Sequence, residues 1–598
     1  MDKNQATGLI LFAAVLLVYS FFFAQSPEPI QETEQTTTVS TLESPTAPSE
    51  TSPVEEADSL QDLRAQIQFG AFAALTRGEA EEITLENDKM LVTFSSKGAE
   101  IVNVELKEYK TWDQRPLVVL GRENSDLEYI LQTDKGPMGL SQFYFTPTLS
   151  EEVVDGQTRS IVTFEARSGN NSIIRTYSIV PEQFIVNKSI KINGFAQNLK
   201  DNNINIQWDD QLVRQEVDIE ESRRKTNANF YTVDGTYDYL SLTSDSDNAD
   251  LNSPVKWVSF SQRFFTSAII ADNQFASGVL EQVTPKDTLS IKNMKASLVL
   301  PLENGTANLS YYFGPNNYNI LKKVTPGFEK NVDMGYFFVS WVNKYIIVNL
   351  FQFLEKYISN YGVIIILIVF IIKLFLFPLT YKSYIGMAKM RVIKPEIDEL
   401  KEKYGDDPTK MQQEQMKLFG QLGVSPISGC LPMVLQMPFL FAMFFFFPNS
   451  IELRQESFLW AKDLSTYDAI FYLPISIPFY GAHVSLFTIL MTVSQIAYTH
   501  FNNQLTAQTG PMKNIGYIMP VVFMFVLNSF PAALSFYYFV SNMVTFGQQA
   551  LIKMFVDDTK IRQKIEETKK NSGNKKKSKF QQKLEEAMKA AEANKKKN

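Results

Sequence analysis

The long apolar runs in this chain constrain its fold more than any other feature of the sequence. One run occupies Gly8–Ala24, close to the N-terminus, and the others all follow Met334. About 20 consecutive apolar residues in a helix cross the hydrocarbon core of a bilayer. The later runs of that length lie at about 361–381, 427–447, 482–501, 514–530 and 532–552. We therefore predict a multi-domain membrane protein with an all-α transmembrane core and six spans in total.

The first 79 residues divide into an apolar segment and a polar one. Residues 1–24 favour an uncleaved signal-anchor helix, because Phe22 and Phe23 stand where a cleavage site needs small residues. A cleaved signal peptide is the alternative. Residues 25–79 begin with a stretch rich in Pro, Ser, Thr and Glu that has almost no large apolar side chain. Such a composition cannot bury enough surface to offset the entropy lost on ordering, so we predict a disordered tether.

Residues 80–333 show the period-two pattern of β-strands. Alternating or β-branched runs occur at 89–94, 160–164 and 172–180, and clusters of Gly, Asn and Asp separate them. This pattern predicts a large all-β antiparallel sandwich. The strands are too polar to form a barrel that faces lipid.

The distribution of charge predicts the orientation of the chain in the membrane. The formal charge is −8, but residues 334–598 sum to about +10, which leaves about −18 for residues 1–333. Basic residues cluster after the second span and in the tail 553–598, and such clusters mark the cytoplasmic side. Alternation of the spans then places both termini in the cytoplasm and the sandwich outside it. The basic tail also suits binding to anionic lipid or ribosomal RNA, with a topology signal as the alternative.

Two helical segments flank the second span. Residues 334–360 mix aromatic and aliphatic residues with Lys, Gln and Glu, which predicts an amphipathic helix lying on the membrane surface. The transmembrane core 361–552 contains a cytoplasmic helical hairpin at 383–425, with its turn at Gly405–Pro408. Positions of a coiled-coil seam recur there at three- and four-residue spacing. They are Met390, Ile393, Ile397, Leu400 and Tyr404 on the first helix and Met411, Gln415, Leu418 and Leu422 on the second.

Lys373 is the one ionisable residue well inside an apolar run. A lysine at the bilayer centre costs about 2.5–3.5 kcal/mol even on the scale that penalises charge least. It lies roughly 18 Å along the helix from Tyr361. Either its ammonium group reaches the cytoplasmic surface of the membrane, or it lies in a hydrated cavity that opens to the cytoplasm. The sequence is compatible with both. Polar residues on other spans, such as Gln436, Asn528 and Asn542, either bond helix to helix or line that cavity.

The sequence carries no recognisable catalytic or metal-binding set. The only histidines are His483 and His500, both near the fourth span, and the only cysteine is Cys430. A disulfide, a thiolate metal cluster or a Cys–His pair is therefore impossible in the predicted sandwich. We predict that the protein is not an enzyme and uses no cofactor or metal.

Several motifs between residues 334 and 555 occur in a specific order. They are Phe377-Pro-Leu-Thr380, Met387-Ala-Lys-Met-Arg391, Gly429-Cys-Leu-Pro-Met-Val-Leu-Gln-Met-Pro438, Glu452-Leu-Arg454 and Tyr537-Tyr-Phe-Val-Ser-Asn542. Together with the topology, they resemble the YidC family of membrane protein insertases. The size and position of the sandwich resemble the periplasmic β-supersandwich of Gram-negative members, which is similar to sugar mutarotases.

The resemblance implies a site as well as a fold. It implies a hydrophilic groove that is open to the cytoplasm and the lipid and closed on the outer side. Lys373 occupies a position at which the family more often has Arg, and Tyr538 matches a tyrosine that contacts the substrate. Gln436, Asn528 and Asn542 complete the groove that we expect. Lysine keeps the charge of arginine but lacks its planar, bidentate donor pair.

The same resemblance implies the function and the partners. The protein would insert nascent membrane proteins into the cell inner membrane and help them fold, with or without the Sec translocon (SecYEG and SecDF). Residues 25–360 would be periplasmic, the basic tail would bind the ribosome, and membrane lipids would surround the core. The cytoplasmic hairpin would receive clients through adaptable methionines and one basic residue. These residues are Met387, Met390, Arg391, Met411 and Met416. The alternative, which the pattern favours for most of the methionines, is that they fill the seam between the two helices.

Two other functions stay open on the sequence alone. A small-molecule secondary transporter is the main alternative, although the chain shows no paired repeats of interrupted helices and only one buried charge. A periplasmic glycan-binding protein with a membrane anchor is the other, but it leaves five spans and the basic hairpin without a role.

Overall fold

The computed structural model describes residues 58–571, except 155, 406, 423, 425–430, 479 and 507–510. The predicted signal anchor, most of the tether, Cys430 and the last 27 residues of the basic tail lie outside the described residues. The described residues from 62 onward belong to one compact unit.

Residues 58–79 are not a disordered tether as predicted. Helix α1 occupies Asp58–Phe69, and a 3-10 segment follows at Gly70–Thr76. Phe72 is buried, and its ring stacks on that of Phe195 with the centroids 4.3 Å apart. The tether therefore ends near residue 58, because the apolar residues that follow pack onto the sandwich.

Nineteen strands among the described residues form the outer domain, and every pairing between them is antiparallel. The three runs predicted as strands lie in β2, β8 and β9 of the following set, so those predictions are confirmed. The strands are β1 (Glu82–Glu86), β2 (Met90–Ser95), β3 (Glu100–Lys110), β4 (Pro116–Gly121), β5 (Ser125–Thr133), β6 (Gly136–Gly139), β7 (Thr146–Val154), β8 (Gln157–Ser168), β9 (Asn171–Ile179), β10 (Ile185–Asn193), β11 (Leu199–Val213), β12 (Asn227–Thr232), β13 (Tyr237–Tyr239), β14 (Ser246–Leu251), β15 (Val255–Ser261), β16 (Phe265–Phe275), β17 (Ser277–Val283), β18 (Ser290–Pro301) and β19 (Thr306–Pro315).

Two large sheets of this domain pack face to face. One has the order β13-β12-β15-β16-β19-β10-β9-β8-β7, and the other has the order β14-β17-β18-β11-β5-β6. Trp208 of β11 stacks on Phe260 of β15 with the ring centroids 3.9 Å apart, and the hydroxyls of Tyr129 and Tyr311 bond across the same interface. The smaller sheet β1-β2-β3-β4 packs through Phe94 on the nine-stranded sheet. The predicted all-β sandwich is confirmed.

The chain after residue 315 is mainly helical, as predicted. Two of its described helices, α4 and α5, are long and apolar enough to cross a membrane, and a shorter apolar helix lies at Asn514–Leu527. Four others, α8 to α11, fall on the later apolar runs. The helices are α2 (Ile219–Arg224, inside the outer domain), α3 (Tyr318–Val324), α4 (Phe337–Glu355), α5 (Tyr361–Val392), α6 (Lys394–Tyr404), α7 (Pro408–Leu422), α8 (Leu431–Asn449), α9 (Leu486–Thr506), α10 (Pro511–Leu527), α11 (Ala532–Phe555) and α12 (Asp558–Asn571).

The cytoplasmic hairpin is shorter than predicted. Helix α5 continues to Val392, so the hairpin begins at Lys394 and not at residue 383. Pro395 stands at the start of α6, where its missing N–H costs nothing, and a proline at that place favours a new helix. The turn between α6 and α7 lies where the sequence predicts it.

A third helix packs on this hairpin. Helix α12 follows the last apolar run, and its Ile565 is buried together with Ile397 of α6 and Phe419 of α7. Arg391 forms a salt bridge with Asp558 at the start of α12, with an N–O distance of 2.5 Å. The beginning of the predicted basic tail is therefore folded against the α6–α7 hairpin.

A β-hairpin that the sequence did not indicate precedes α9. Strand β20 occupies Ala469–Ile477 and pairs with β21 at Gly481–Ser485. The predicted span 482–501 therefore begins too early, and α9 starts at Leu486.

The segment between α8 and β20, residues 450–468, joins the outer domain to the helices, and we name it the outer connector. Its Arg454 forms a buried salt bridge with Glu216 of the outer domain, with an N–O distance of 2.7 Å. Arg263, in the turn between β15 and β16 of the outer domain, donates to the carbonyl of Ser465 in the connector at 2.7 Å. The outer domain and the helical core are therefore bonded together through buried polar groups.

Candidate functional site

Lys373 lies on the inward face of α5. The side chains of Phe370, Leu374 and Phe375, which point in other directions around the helix, are 53–75% exposed, whereas Lys373 is 4% exposed. In a helix, residues that differ by one position point in directions about 100° apart, so one helix presents an apolar face and a polar residue at once. The ammonium group therefore points into the helix bundle and not along the surface that faces lipid.

The partners of Lys373 are neutral. Its Nζ donates to the hydroxyl oxygen of Thr545 on α11 at 2.8 Å, and that hydroxyl donates to the carbonyl of Ser541 at 2.7 Å. The side-chain amide of Gln548 donates to the Lys373 carbonyl at 3.1 Å. Among the residues that the structure describes, Lys373 forms no salt bridge. A buried cation without a counter-ion is unusual, because buried charges are normally paired.

Helix α11 carries a polar stripe beside this lysine. Its members are Tyr538, Asn542, Thr545 and Gln549, which we name the α11 stripe. Their spacing of four, three and four residues places them on one face of the helix. Thr545 was missed in the sequence, although its spacing from Tyr538 and Asn542 is the signal that would have found it.

The α11 stripe contacts three other helices. Thr545 contacts α5 through the lysine, as described above. Asn542 donates its amide N–H to the hydroxyl of Ser494 on α9 at 2.9 Å, and the hydroxyl of Tyr538 donates to the carbonyl of Leu440 on α8 at 3.3 Å. Gln436 is half-buried on α8, one helical turn before that carbonyl. Four of the five predicted groove residues therefore lie on helices that meet along α11.

Asn528 is the exception, and its placement corrects the prediction. Its amide donates to the carbonyl of Tyr480 at 2.8 Å, and its side-chain oxygen accepts from the backbone N–H of Ser485 at 3.0 Å. It precedes α11, whereas Thr545 lies 13 residues beyond the first residue of that helix, about 20 Å along its axis. Asn528 therefore stabilises the outer end of the bundle and does not lie beside Lys373.

This outer end contains a second set of buried polar residues, the outer network, made up of Asp468, Ser485, Thr488, Asn528 and Ser535. Asp468 accepts from the indole N–H of Trp460 at 2.7 Å, from the backbone N–H of Phe487 at 2.8 Å and from the Ser485 hydroxyl. The hydroxyls of Thr488 and Ser535 lie 2.9 Å apart and connect α9 with α11. The network ties together the first turns of two helices and the β20–β21 hairpin.

The residues predicted to receive clients on the cytoplasmic hairpin are mostly part of its own packing. Met387 is buried beside Ile552, and Met390 and Met416 pack on the apolar core of the hairpin. Arg391 is engaged with α12, as described above. Met411 is half-buried on α7.

Two family models match the chain, the 60Kd inner membrane protein model over residues 353–560 and the YidC periplasmic domain model over residues 82–348. The membrane protein insertase YidC of Amoebophilus asiaticus is 40% identical, and the match covers 100% of both chains. That of Cytophaga hutchinsonii is 42% identical over 99% of this chain and 98% of the relative. This chain belongs to the YidC family of membrane protein insertases. The predicted family is confirmed.

Solved structures were also compared with this YidC family member. A crystal structure of active YidC insertase with its first transmembrane domain resolved is 20% identical, covers 82% of this chain and 97% of that chain, and gives a TM-score of 0.32. A galactose mutarotase-like protein from Lactobacillus casei is 10% identical, covers 39% of this chain and 100% of that chain, and gives a TM-score of 0.26.

Family membership establishes the general function. The protein is an inner-membrane protein with a periplasmic all-β domain, and it inserts membrane proteins. Its substrates are nascent membrane proteins. The family is one of insertases and not of enzymes, and the transporter and glycan-binding interpretations are set aside.

Proposed function

We propose that Lys373 and the α11 stripe line a hydrophilic groove that accepts polar segments of nascent membrane proteins. One observation carries this proposal: the Lys373 ammonium is buried in a membrane helix and bonded only to a neutral hydroxyl among the described residues. Intramembrane ionisable residues are rare, costly and typically functional. A second polar atom nearby supports the proposal, since the amide oxygen of Gln548 is buried without a hydrogen-bond partner in the described part of the chain.

An uncompensated cation favours clients with an acidic polar segment. A carboxylate of the client would supply the missing counter-charge, and water or client backbone would satisfy the free amide oxygen. The groove lowers the cost of moving a short hydrophilic stretch partway across the membrane. The client's apolar helix then enters the lipid, and its transfer from water to hydrocarbon supplies the driving force. No nucleotide is required by these residues.

We propose six membrane spans, with both termini in the cytoplasm. The periplasmic domain fixes the side of residues 82–348, and the basic residues after the second span and in the tail favour the cytoplasm. In this arrangement α4 lies on the periplasmic surface of the inner membrane, in agreement with the exposed aromatic rings of Phe337, Trp341 and Tyr345.

We also propose that the cytoplasmic helices receive clients and that the tail binds ribosomes. Met411 lies outside the apolar clusters that the described residues of the hairpin and of α5 form. The tail's surplus of basic residues suits ribosomal RNA or anionic lipid. The Sec translocon is a proposed partner through the family resemblance alone.

The groove is tested in cells that are depleted of the wild-type protein while a variant of it is expressed in its place. Two matched clients are followed by protease protection, one with an acidic outer segment and one in which its Asp and Glu are changed to Asn and Gln. Wild type and Lys373→Arg should insert both clients. Lys373→Ala should lose insertion of the acidic client selectively, because only that client needs the buried charge.

A matched control is Lys382→Ala, which removes an exposed lysine of the same helix. It should insert both clients as wild type does. Equal insertion of the two clients by Lys373→Ala would refute a role for the charge, and insertion of both clients after depletion would refute the dependence of these clients on the protein.

A further inference from the structure

The β20–β21 hairpin exposes an apolar surface that the six-span scheme leaves unexplained. Ile470, Phe471, Tyr472 and Ile475 of β20 are 50–68% exposed. These values match those of the most exposed apolar residues of α5, Phe370, Leu374 and Phe375, which are 53–75% exposed. Side chains on both faces of β20 are exposed, so the strand projects from the protein and does not lie flat on it.

The composition of this region is that of a membrane-embedded segment. Residues 469–512 contain no Asp, Glu, Lys or Arg. Water-exposed hairpins normally carry charged residues, particularly on edge strands, because charges prevent association with other edges. A charge-free hairpin with large exposed side chains therefore indicates a surrounding that is not water.

The base of the hairpin is fixed at the outer end of the helix bundle. Asp468 immediately precedes β20, and Ser485 ends β21 and leads directly into α9. Both residues belong to the outer network. The tip is fixed as well, since Tyr480 packs on Phe525 of α10 with the ring centroids 5.4 Å apart. The hairpin is thus held beside two membrane helices.

The hairpin lies on the periplasmic side of the membrane. The outer connector, which leads into β20, is bonded to the periplasmic domain through Arg454 and Glu216. This assignment rests on the periplasmic domain itself and does not depend on the number of spans.

We propose that the β20–β21 hairpin is inserted into the interfacial region of the outer leaflet, where Ile470, Phe471, Tyr472 and Ile475 contact lipid acyl chains. It anchors the outer ends of α9 and α10 at a fixed depth in the bilayer. This role goes beyond the proposed groove, and neither depends on the other.

The backbone of the hairpin sets the depth. Among the described residues β20 pairs with β21 alone, so its other edge has free N–H and C=O groups. Such an edge is not tolerated in the hydrocarbon core, but water reaches it at the interface. Pro474 and Pro478 also remove two N–H donors from this segment, which reduces the cost of contact with lipid.

The single cysteine of the chain permits a direct test. In a Cys430→Ser background, Phe471→Cys and Ile475→Cys are labelled with an environment-sensitive fluorophore. The purified protein is placed in vesicles of phosphatidylethanolamine and phosphatidylglycerol. Quenching is measured with aqueous iodide and with lipids that carry a nitroxide near the headgroup or near the middle of the acyl chain. No other protein is present, so only lipid can shield the labels.

Two controls bracket the result. Leu149→Cys labels an exposed apolar residue of the periplasmic sandwich, and Phe375→Cys labels the lipid-facing side of α5. The hairpin labels should be quenched several-fold less by iodide than the label at 149. They should be quenched most by the headgroup-proximal nitroxide, in contrast to the label at 375. Iodide quenching at 471 and 475 equal to that at 149 would overturn the proposal and indicate a surface exposed to water or kept for a protein partner.

Discussion

The buried salt bridge between Arg454 and Glu216 yields a quantitative prediction about the joint between the two halves of the protein. The two side chains are 3% and 10% exposed, and Arg454 also donates to the carbonyl of Lys110 at 2.5 Å. Arg454→Ala leaves the Glu216 carboxylate buried without its cation. Removing one partner of a buried pair costs about 3–5 kcal/mol, because the remaining charge is uncompensated.

Hydrogen–deuterium exchange of the outer connector measures this cost locally. A tenfold change in an opening equilibrium corresponds to about 1.4 kcal/mol, so amides of the connector should exchange roughly a hundred to several thousand times faster in Arg454→Ala. The double variant Arg454→Met, Glu216→Leu removes both charges and should be affected less than Arg454→Ala.

The salt bridge between Arg122 and Glu82 is a matched control. Its N–O distance is also 2.7 Å, but its side chains are 61% and 55% exposed. Exposed pairs contribute only about 0–1 kcal/mol, so Arg122→Ala should change exchange of its own segment less than tenfold. Equal effects of Arg454→Ala and Arg122→Ala, each in its own segment, would refute the argument from burial.

Three further predictions concern other buried groups. Burial raises the pKa of Glu100 from 4.5 to about 7. Between these pH values the folded state keeps a proton that the unfolded state loses, so the free energy of unfolding falls by about 3 kcal/mol as the pH rises through them. The difference in thermal unfolding between wild type and Glu100→Gln should follow this slope, and identical pH profiles of the two proteins would contradict it. Asp468→Ala removes the acceptor of three hydrogen bonds and leaves the buried N–H of Phe487 without a partner, at about 1–3 kcal/mol, so it should lower the unfolding midpoint more than Asp468→Asn does. A Cβ at Gly362 would lie 2.1 Å from the ring of Phe458, so Gly362→Ala should destabilise the protein by about 1–3 kcal/mol. Adding Phe458→Leu to this variant should partly restore the stability. No loss of thermal stability in Gly362→Ala alone would show that the ring can move away.

The sequence predicts the periodic parts of this fold well. The runs at 89–94, 160–164 and 172–180 lie in strands, because alternation of side chains is a local property of the chain. Helices α8 to α11 fall on the apolar runs, because the length of an apolar run is likewise a local property of the sequence. Errors lie at the boundaries, where tertiary contacts decide: α1 is ordered where a tether was predicted, and α5 continues through Pro378 as far as Val392.

The β20–β21 hairpin could not be predicted from periodicity. The residues of β20 are apolar at nearly every position, and such a run does not distinguish a strand from the beginning of a membrane helix. Pro474 and Pro478 disfavour a straight helix, but they are also compatible with a bent helix. In the periplasmic strands, apolar and polar side chains alternate because one face of each sheet packs on a core. The β20–β21 hairpin has no such core, so its sequence does not alternate.

The candidate site was predictable in its residue types but not in its grouping. Lys373 was identified because a charge in an apolar run is costly. Asn528 and Asn542 could not be distinguished in the sequence, because both are single amides within or near spans. Asn528 bonds to the β20–β21 hairpin before α11, whereas Asn542 bonds to α9 from the middle of α11, and these partners follow only from how the helices pack.

The buried polar groups along α11 fall into two sets that differ in how completely they are bonded. At the outer end, Asp468 accepts three hydrogen bonds and Asn528 uses both its amide N–H groups and its oxygen. Further along α11, Lys373 has one side-chain acceptor for three N–H donors, and the amide oxygen of Gln548 has no partner, among the described residues. A fully bonded network resists entry of water, whereas unpartnered groups require it. The proposed groove needs this asymmetry, since it must be sealed toward the periplasm and hydrated toward the cytoplasm.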